Sequence, residues 1–157
     1  MSGNLPPVTR AQIVCAAQDW IGTPYQHQAS LIGVGCDCLG LVGGVWAQIY
    51  GAWPEAAPPY RSDWAELGTD EPLLSAARRH LVAMPLAAAV LPGDLLLFRM
   101  SPQAQIKHCA LVTAARTPRA EARIIHAYWG HAVVESWLGP WWRRRLAARF
   151  AFPTVRD

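Results

Sequence analysis

Gly35-Cys36-Asp37-Cys38-Leu39-Gly40-Leu41 is the stretch of this chain whose residue types and spacing suit chemistry. Beyond Leu39 the apolar residues Leu41, Val42, Val45, Trp46 and Ile49 recur at helical spacing, and Gly51 stands where a helix should stop. Asp37 is a good N-cap, which puts Cys38 in the first turn. There the unpaired backbone N–H groups and the positive end of the helix dipole stabilise an anion. A thiolate is such an anion, and a helix N-terminus is a setting that depresses a thiol pKa. Free cysteines are more often small buried hydrophobes, so Cys38 needs partners before it reads as a nucleophile.

Two histidines far down the chain supply them. His108 opens the apolar run His-Cys-Ala-Leu-Val, and His126 lies in Arg-Ile-Ile-His-Ala-Tyr. Both runs read as strands. A cysteine at the head of a helix, with a base and its orienter on later strands, is what nucleophilic cysteine catalysis requires. The base takes the thiol proton, and the third group fixes the tautomer and direction of the base. Alternation places His108 on one strand face with Ala110 and Val112, and Cys109 on the other with Leu111. His126 shares its face with Ile124 and Tyr128. The triad is expected to assemble if both histidine faces look at the cysteine helix.

Five motifs occur in a recognisable order: GTPY at Gly22 to Tyr25, GCDCLGL at Gly35 to Leu41, PGDLLLF at Pro92 to Phe98, KHCALV at Lys107 to Val112 and IIHAY at Ile124 to Tyr128. Together they resemble the NlpC family of cell-wall cysteine peptidases, and most of all its phage-tail and gene-transfer-agent branch, over about Thr9 to Pro153. The resemblance implies a papain-like α+β fold in which N-terminal helices, the nucleophile helix among them, pack on a small antiparallel sheet. It implies hydrolysis of a peptidoglycan stem peptide, at the bond between D-glutamate and the diamino acid, with Cys38, His108 and His126 as the catalytic residues. By the same resemblance Tyr25 helps hold substrate and oxyanion, Asp37 helps bind the stem peptide, and no metal or cofactor takes part. One departure is Leu39, where most members of the family carry serine. It leaves fine specificity open.

The elements that must position these residues are legible in outline. Thr9 with Gln12 forms a capping box for a first helix whose face carries Ile13, Ala16, Ala17, Trp20 and Ile21, with Gly22 as its end. The glycines Gly40, Gly43 and Gly44 inside the cysteine helix mark close approach of another backbone, expected to be the sheet. Ala52 to Gly68 reads as a proline-rich loop, and Asp70 as the cap of a third helix with Leu73, Leu74, Ala77 and Leu81 on its apolar face. Residues 52–91 thus form an insertion between nucleophile helix and sheet within one domain spanning 1–157. Met84 to Leu91 is too rich in alanine to assign. Strands follow from Leu95 to the last at Ala147 to Phe152, giving helices first and antiparallel strands after.

Composition bounds the rest. The chain has 157 residues, 52% of them hydrophobic and 16% charged, enough for one well-filled core. The four cysteines do not form a disulfide pattern, and Cys15 and Cys109 are expected to be core thiols. Cys36, Cys38, His108 and Cys109 lack the pair spacing of the common zinc sites. Net charge is only +3, and the Arg143-Arg144-Arg145 run reads as a solvated face, so no nucleic-acid partner is expected. No apolar run is long enough to span a bilayer, and Met1 to Arg10 lack the features of a secretory signal. Cytoplasmic synthesis is therefore expected, followed by release through lysis or carriage on a particle; the resemblance implies carriage to the wall on a phage-like tail, beside tail-tip or hub proteins. Four of the eight tryptophans fall between Trp129 and Trp142, as core or as a docking patch. A tail-hub subunit with a vestigial peptidase fold, and a papain-like amidase or acyltransferase, are the alternative readings. His27, His80 and His131 have no assigned role.

Overall fold

The computed structural model describes residues 3–55 and 71–157. Thr9 caps the first helix reciprocally: its hydroxyl accepts from the Gln12 N–H at 3.1 Å, and Gln12 Oε1 accepts from the Thr9 N–H at 2.8 Å. Such a cap is worth about 1 kcal/mol. Helix α1 runs Arg10–Gln18, stopping short of Gly22, which instead takes a positive φ of 88° in the turn beyond. A small hairpin of β1 (Ser30–Leu31) and β2 (Gly35–Cys36) leads to α2 (Cys38–Tyr50), which Gly51 ends in the left-handed conformation.

The remaining elements are α3 (Pro72–His80), β3 (Val82–Met84), β4 (Leu95–Phe98), β5 (His108–Ala114), β6 (Arg123–Ala127), β7 (Val133–Trp137), α4 (Pro140–Arg143) and β8 (Leu146–Ala151). Six strands form one antiparallel sheet in the order β3-β8-β4-β5-β6-β7. β3 overlaps the start of the alanine-rich stretch that carried no pattern in the sequence. It exists as an edge because β8 supplies its ladder. Helix α3 starts at Pro72 with Glu71 in the cap position. Asp70 and most of the proline-rich loop lie outside the described residues.

The sheet buries both faces. One packs Leu95, Leu97, Cys109, Leu111 and Ile125 against Ile13 and Ala17 of α1 and Leu41, Val45 and Trp46 of α2. The other packs Leu96, Phe98, Ala110, Val112 and Ile124 with Leu138 and Trp142. This corrects the expectation about the histidines. His108 and His126 alternate with the second set of residues, so their faces point away from the cysteine helix. The helix and the base meet instead where β5 begins, since His108 is its first residue.

The glycine expectation is corrected as well. A Cβ on Gly40 would lie 1.9 Å from the carbonyl oxygen of Ala29, whereas at Gly43 and Gly44 it would strike the indoles of Trp53 and Trp20 at 2.1 Å. A loop carbonyl and two rings, rather than the sheet, demand the missing side chains.

Asp94 of the Pro-Gly-Asp turn ties the two ends of the fold together. Its carboxylate is fully buried and accepts from Arg10 Nη1 at 2.9 Å, from Arg149 Nε at 2.6 Å and from the Leu91 N–H at 2.8 Å. Arg149, itself 2% exposed, donates further to the carbonyls of Pro85 and Ala88. Helix α1, the turn before β4 and strand β8 are thus joined by one ionic knot.

Candidate active site

Asp37 builds the head of α2. One carboxylate oxygen accepts from the Gly40 N–H at 2.7 Å and the other from the Gln28 N–H at 2.8 Å, fastening the preceding loop to the helix. His27 Nδ1 lies 3.9 Å from the same carboxylate. Cys38 follows in the first turn, half-buried, and as a thiol can donate to the Lys107 carbonyl at 3.4 Å. The chain around Lys107 is held in turn by Glu71, which accepts from the Ile106 N–H at 2.8 Å and from Arg99 Nη1 at 2.6 Å.

His108 and His126 are joined directly, His108 Nε2 standing 3.0 Å from His126 Nδ1. On the far side, His126 Nε2 is 3.0 Å from Ser136 Oγ. Trp142 of α4 stacks on the His108 ring at 5.3 Å and 27°, and meets the His126 ring edge-on at 5.0 Å. Among the predicted site residues, the structure brings His126 against His108 and Cys38 within hydrogen-bonding reach of His108. Tyr25 packs beside the buried Cys36 at the rim, and Asp37 sits under Cys38.

The electrostatics single out one thiol. Cys38 is held below the free thiol value, first by a hydrogen bond from the Cys109 thiol and then by the hydrogen bond and charge of His108, against the opposing effects of burial and the Asp37 carboxylate. Cys109 shares that bond and is pushed well above its ordinary value by it and by burial, so it keeps its proton to donate. Its sulfur lies 3.4 Å from the Cys38 carbonyl oxygen. Burial, with the neighbouring Asp37 and Cys38, pushes Cys36 up to about 12. Burial chiefly, and then the charges of Cys38, Asp37 and Cys36, push Tyr25 up to about 12, so its hydroxyl stays a donor at neutral pH. Burial and the charge of His108 bring His126 down to about 3, which makes it a neutral imidazole there.

The reading of Cys15 as a core thiol is wrong: α1 turns it to solvent, while Cys36 and Cys109 are buried. The placement of the four thiols gives a sharp expectation. A free thiol is only about 0.3% thiolate at pH 6, whereas a group whose pKa is lowered stays ionised there. Brief alkylation at pH 6 is expected to label Cys38 ahead of Cys15, with Cys36 and Cys109 unmodified, and to slow when His108 is replaced by alanine. Peptide mapping by mass spectrometry reads it out, and faster labelling of Cys15 or Cys36 would refute the assignment.

Sequence reasoning missed Cys109 as a neighbour of the nucleophile, gave Ser136 no role, and read Trp142 as core or docking patch rather than as a cover on the histidines. Parity could have hinted at Cys109, since it faces α2. Ser136 and Trp142 carry no local signal, because their approach depends on β7 register and on the short α4.

No protein-family model matches the sequence, and no curated protein does. Solved structures match it through their fold. The NlpC/p60 domain of the peptidoglycan hydrolase SagA aligns with a TM-score of 0.58 at 24% identity, over 92% of this chain and 100% of that domain. An NlpC/p60 family protein from Bacillus cereus ATCC 10987 gives 0.60 at 17% identity, over 94% of this chain and 41% of the other. NlpC2 from Trichomonas vaginalis gives 0.56 at 14%, over 95% and 49%. The chain thus spans the whole of the SagA domain but less than half of the other two proteins. Its architecture is the papain-like α+β fold of NlpC/p60 domains, with helices set against an antiparallel sheet as the sequence predicts.

Proposed function

We propose that this protein is a cysteine endopeptidase that cleaves the peptide stem of bacterial peptidoglycan. The observation that carries the reading is the hydrogen-bonded chain from the activated Cys38 thiol, at the head of α2, to His108 and from His108 to His126. It lies on a fold shared with a domain of a peptidoglycan hydrolase. The Cys38 thiolate attacks the amide carbonyl, forming a C–S bond as the carbonyl oxygen gains charge. The His108 imidazolium protonates the leaving amine and, once neutral, takes a proton from the water that releases the acyl group. The Cys38 N–H and the Tyr25 hydroxyl hold the oxyanion, each such donor being worth about 3 kcal/mol.

The scissile bond in this reading joins D-glutamate to the diamino acid. Asp37 contributes its negative charge to binding the amine of the stem, beyond its work as the helix cap. No metal or cofactor enters the reaction. Residues 1–157 act as one peptidase domain, delivered to the wall on a phage-like tail. The motifs quoted above support that setting, and so does the exposure of Trp129, Trp137 and Trp141 at 79%, 55% and 42%.

Digestion of purified peptidoglycan, with the released fragments weighed by mass spectrometry, tests the activity. Fragments cut after D-glutamate are expected, and an unchanged sacculus would overturn the reading. Recovery of the protein with sedimented particles from the producing cell tests its carriage.

The two histidines are expected to differ. Glutamine at 126 can still accept from His108 Nε2–H, whereas glutamine at 108 cannot shuttle a proton. His126→Gln should therefore keep at least about tenfold more activity than His108→Gln, whose loss should reach about 10²–10⁴-fold. Steady-state rates of the two variants decide it, and the reverse order would exchange their roles.

A further inference from the structure

His126 is 2% exposed and has one partner at each ring nitrogen. A neutral imidazole carries a single N–H, so one ring nitrogen donates and the other accepts. For His126 to orient His108, its Nδ1 must be bare and accept from His108 Nε2–H. The lone proton then sits on Nε2, in the interior, where an N–H without an acceptor is costly. Ser136 Oγ, 3.0 Å away, is the acceptor the structure offers. Strand pairing puts it there: His126 stands opposite Val134 and Ile124 opposite Ser136, so the serine is the diagonal neighbour of the histidine on the same sheet face.

We infer that Ser136 is a positioning residue that fixes His126 in its Nε2–H tautomer and, through it, leaves Nδ1 of His108 bare to face Cys38. The inference deepens the function proposed above, and its catalytic consequence rests on that reading. The alternative tautomer shows why the hydroxyl matters. With its proton on Nδ1, His126 would point a donor at His108 Nε2. His108 would then have to move its own proton to Nδ1, and the nitrogen toward the thiol would have no lone pair for the thiol proton. Among the described residues, Cys38 from α2 and Tyr128 beyond β6 are the titratable neighbours of the two rings, while Trp142 and Phe98 cover them with apolar surface.

The test uses two variants of nearly equal shape, Ser136→Thr and Ser136→Val, since both suit a strand and only the first keeps a hydroxyl. Nitrogen-15 NMR of the full chain at pH 7 should show His126 as the Nε2–H tautomer in the parent and the threonine variant. The valine variant should show a mixture or the Nδ1–H form. Alkylation of Cys38 at pH 6 should slow about tenfold in the valine variant, the scale of one buried hydrogen bond, and stay within about twofold of the parent in the threonine variant. Equal tautomers and equal labelling rates in the two variants would overturn the inference. Neither readout needs a substrate, so a failure to cut peptidoglycan would sink the proposed function and leave this result standing.

Discussion

Replacing Cys38 by alanine is expected to abolish peptidoglycan hydrolysis, lowering kcat/KM by about 10⁴-fold or more while the fold survives. None of the other three cysteines can take over the attack. The Cys36 thiol is raised to about 12 and buried, Cys109 holds its proton, and Cys15 lies on the outer face of α1. The side chain removed is small and half-buried at the end of a helix that Asp37 still caps, so stability should stay within about 1 kcal/mol of the parent. His108→Ala should fall in activity nearly as far, because nucleophile and base act as a unit and their losses do not add. Turnover on purified peptidoglycan, read beside a denaturant melt, checks both. Near-parental turnover in either variant would remove that residue from the mechanism.

The largest effect on stability is expected at Asp94, far from the thiol. Asp94→Asn leaves the guanidinium of Arg149 buried without a carboxylate and releases Arg10 from the turn before β4. Breaking a buried ion pair from one side costs about 3–5 kcal/mol. That is a large share of the 5–15 kcal/mol typical of a folded domain. Combining Asp94→Asn with Arg149→Met should recover part of the loss, since the orphaned charge goes with its partner. Urea midpoints of the parent, the single and the double variants give the comparison. A single variant within about 1 kcal/mol of the parent would mean that water reaches Arg149 and the knot is not closed.

What the sequence determined by itself is what short-range physics controls. The Thr9–Gln12 box, the Asp37 cap, the helical period from Leu41 to Ile49 and the Gly51 stop act over a few residues, and each is legible in the residues themselves. They suffice to put Cys38 at a helix head, where a thiol is activated. Alternation likewise sorted Cys109 from His108 onto opposite strand faces.

Only the tertiary structure decided which face meets which helix. Parity is symmetric under exchange of the two sides of a sheet, so the same alternation could have set the histidines against α2. The edge strand β3 exists through its ladder with β8 alone, and the neighbours of Gly40, Gly43 and Gly44 arrive from loops and helices distant in sequence. Asp94 gathers arginines 84 and 55 residues away, and Ser136 reaches His126 through a strand register that no local pattern encodes. Contacts across such separations depend on how the elements dock, because the free energy that selects them comes from burying whole faces at once rather than from any run of neighbouring residues.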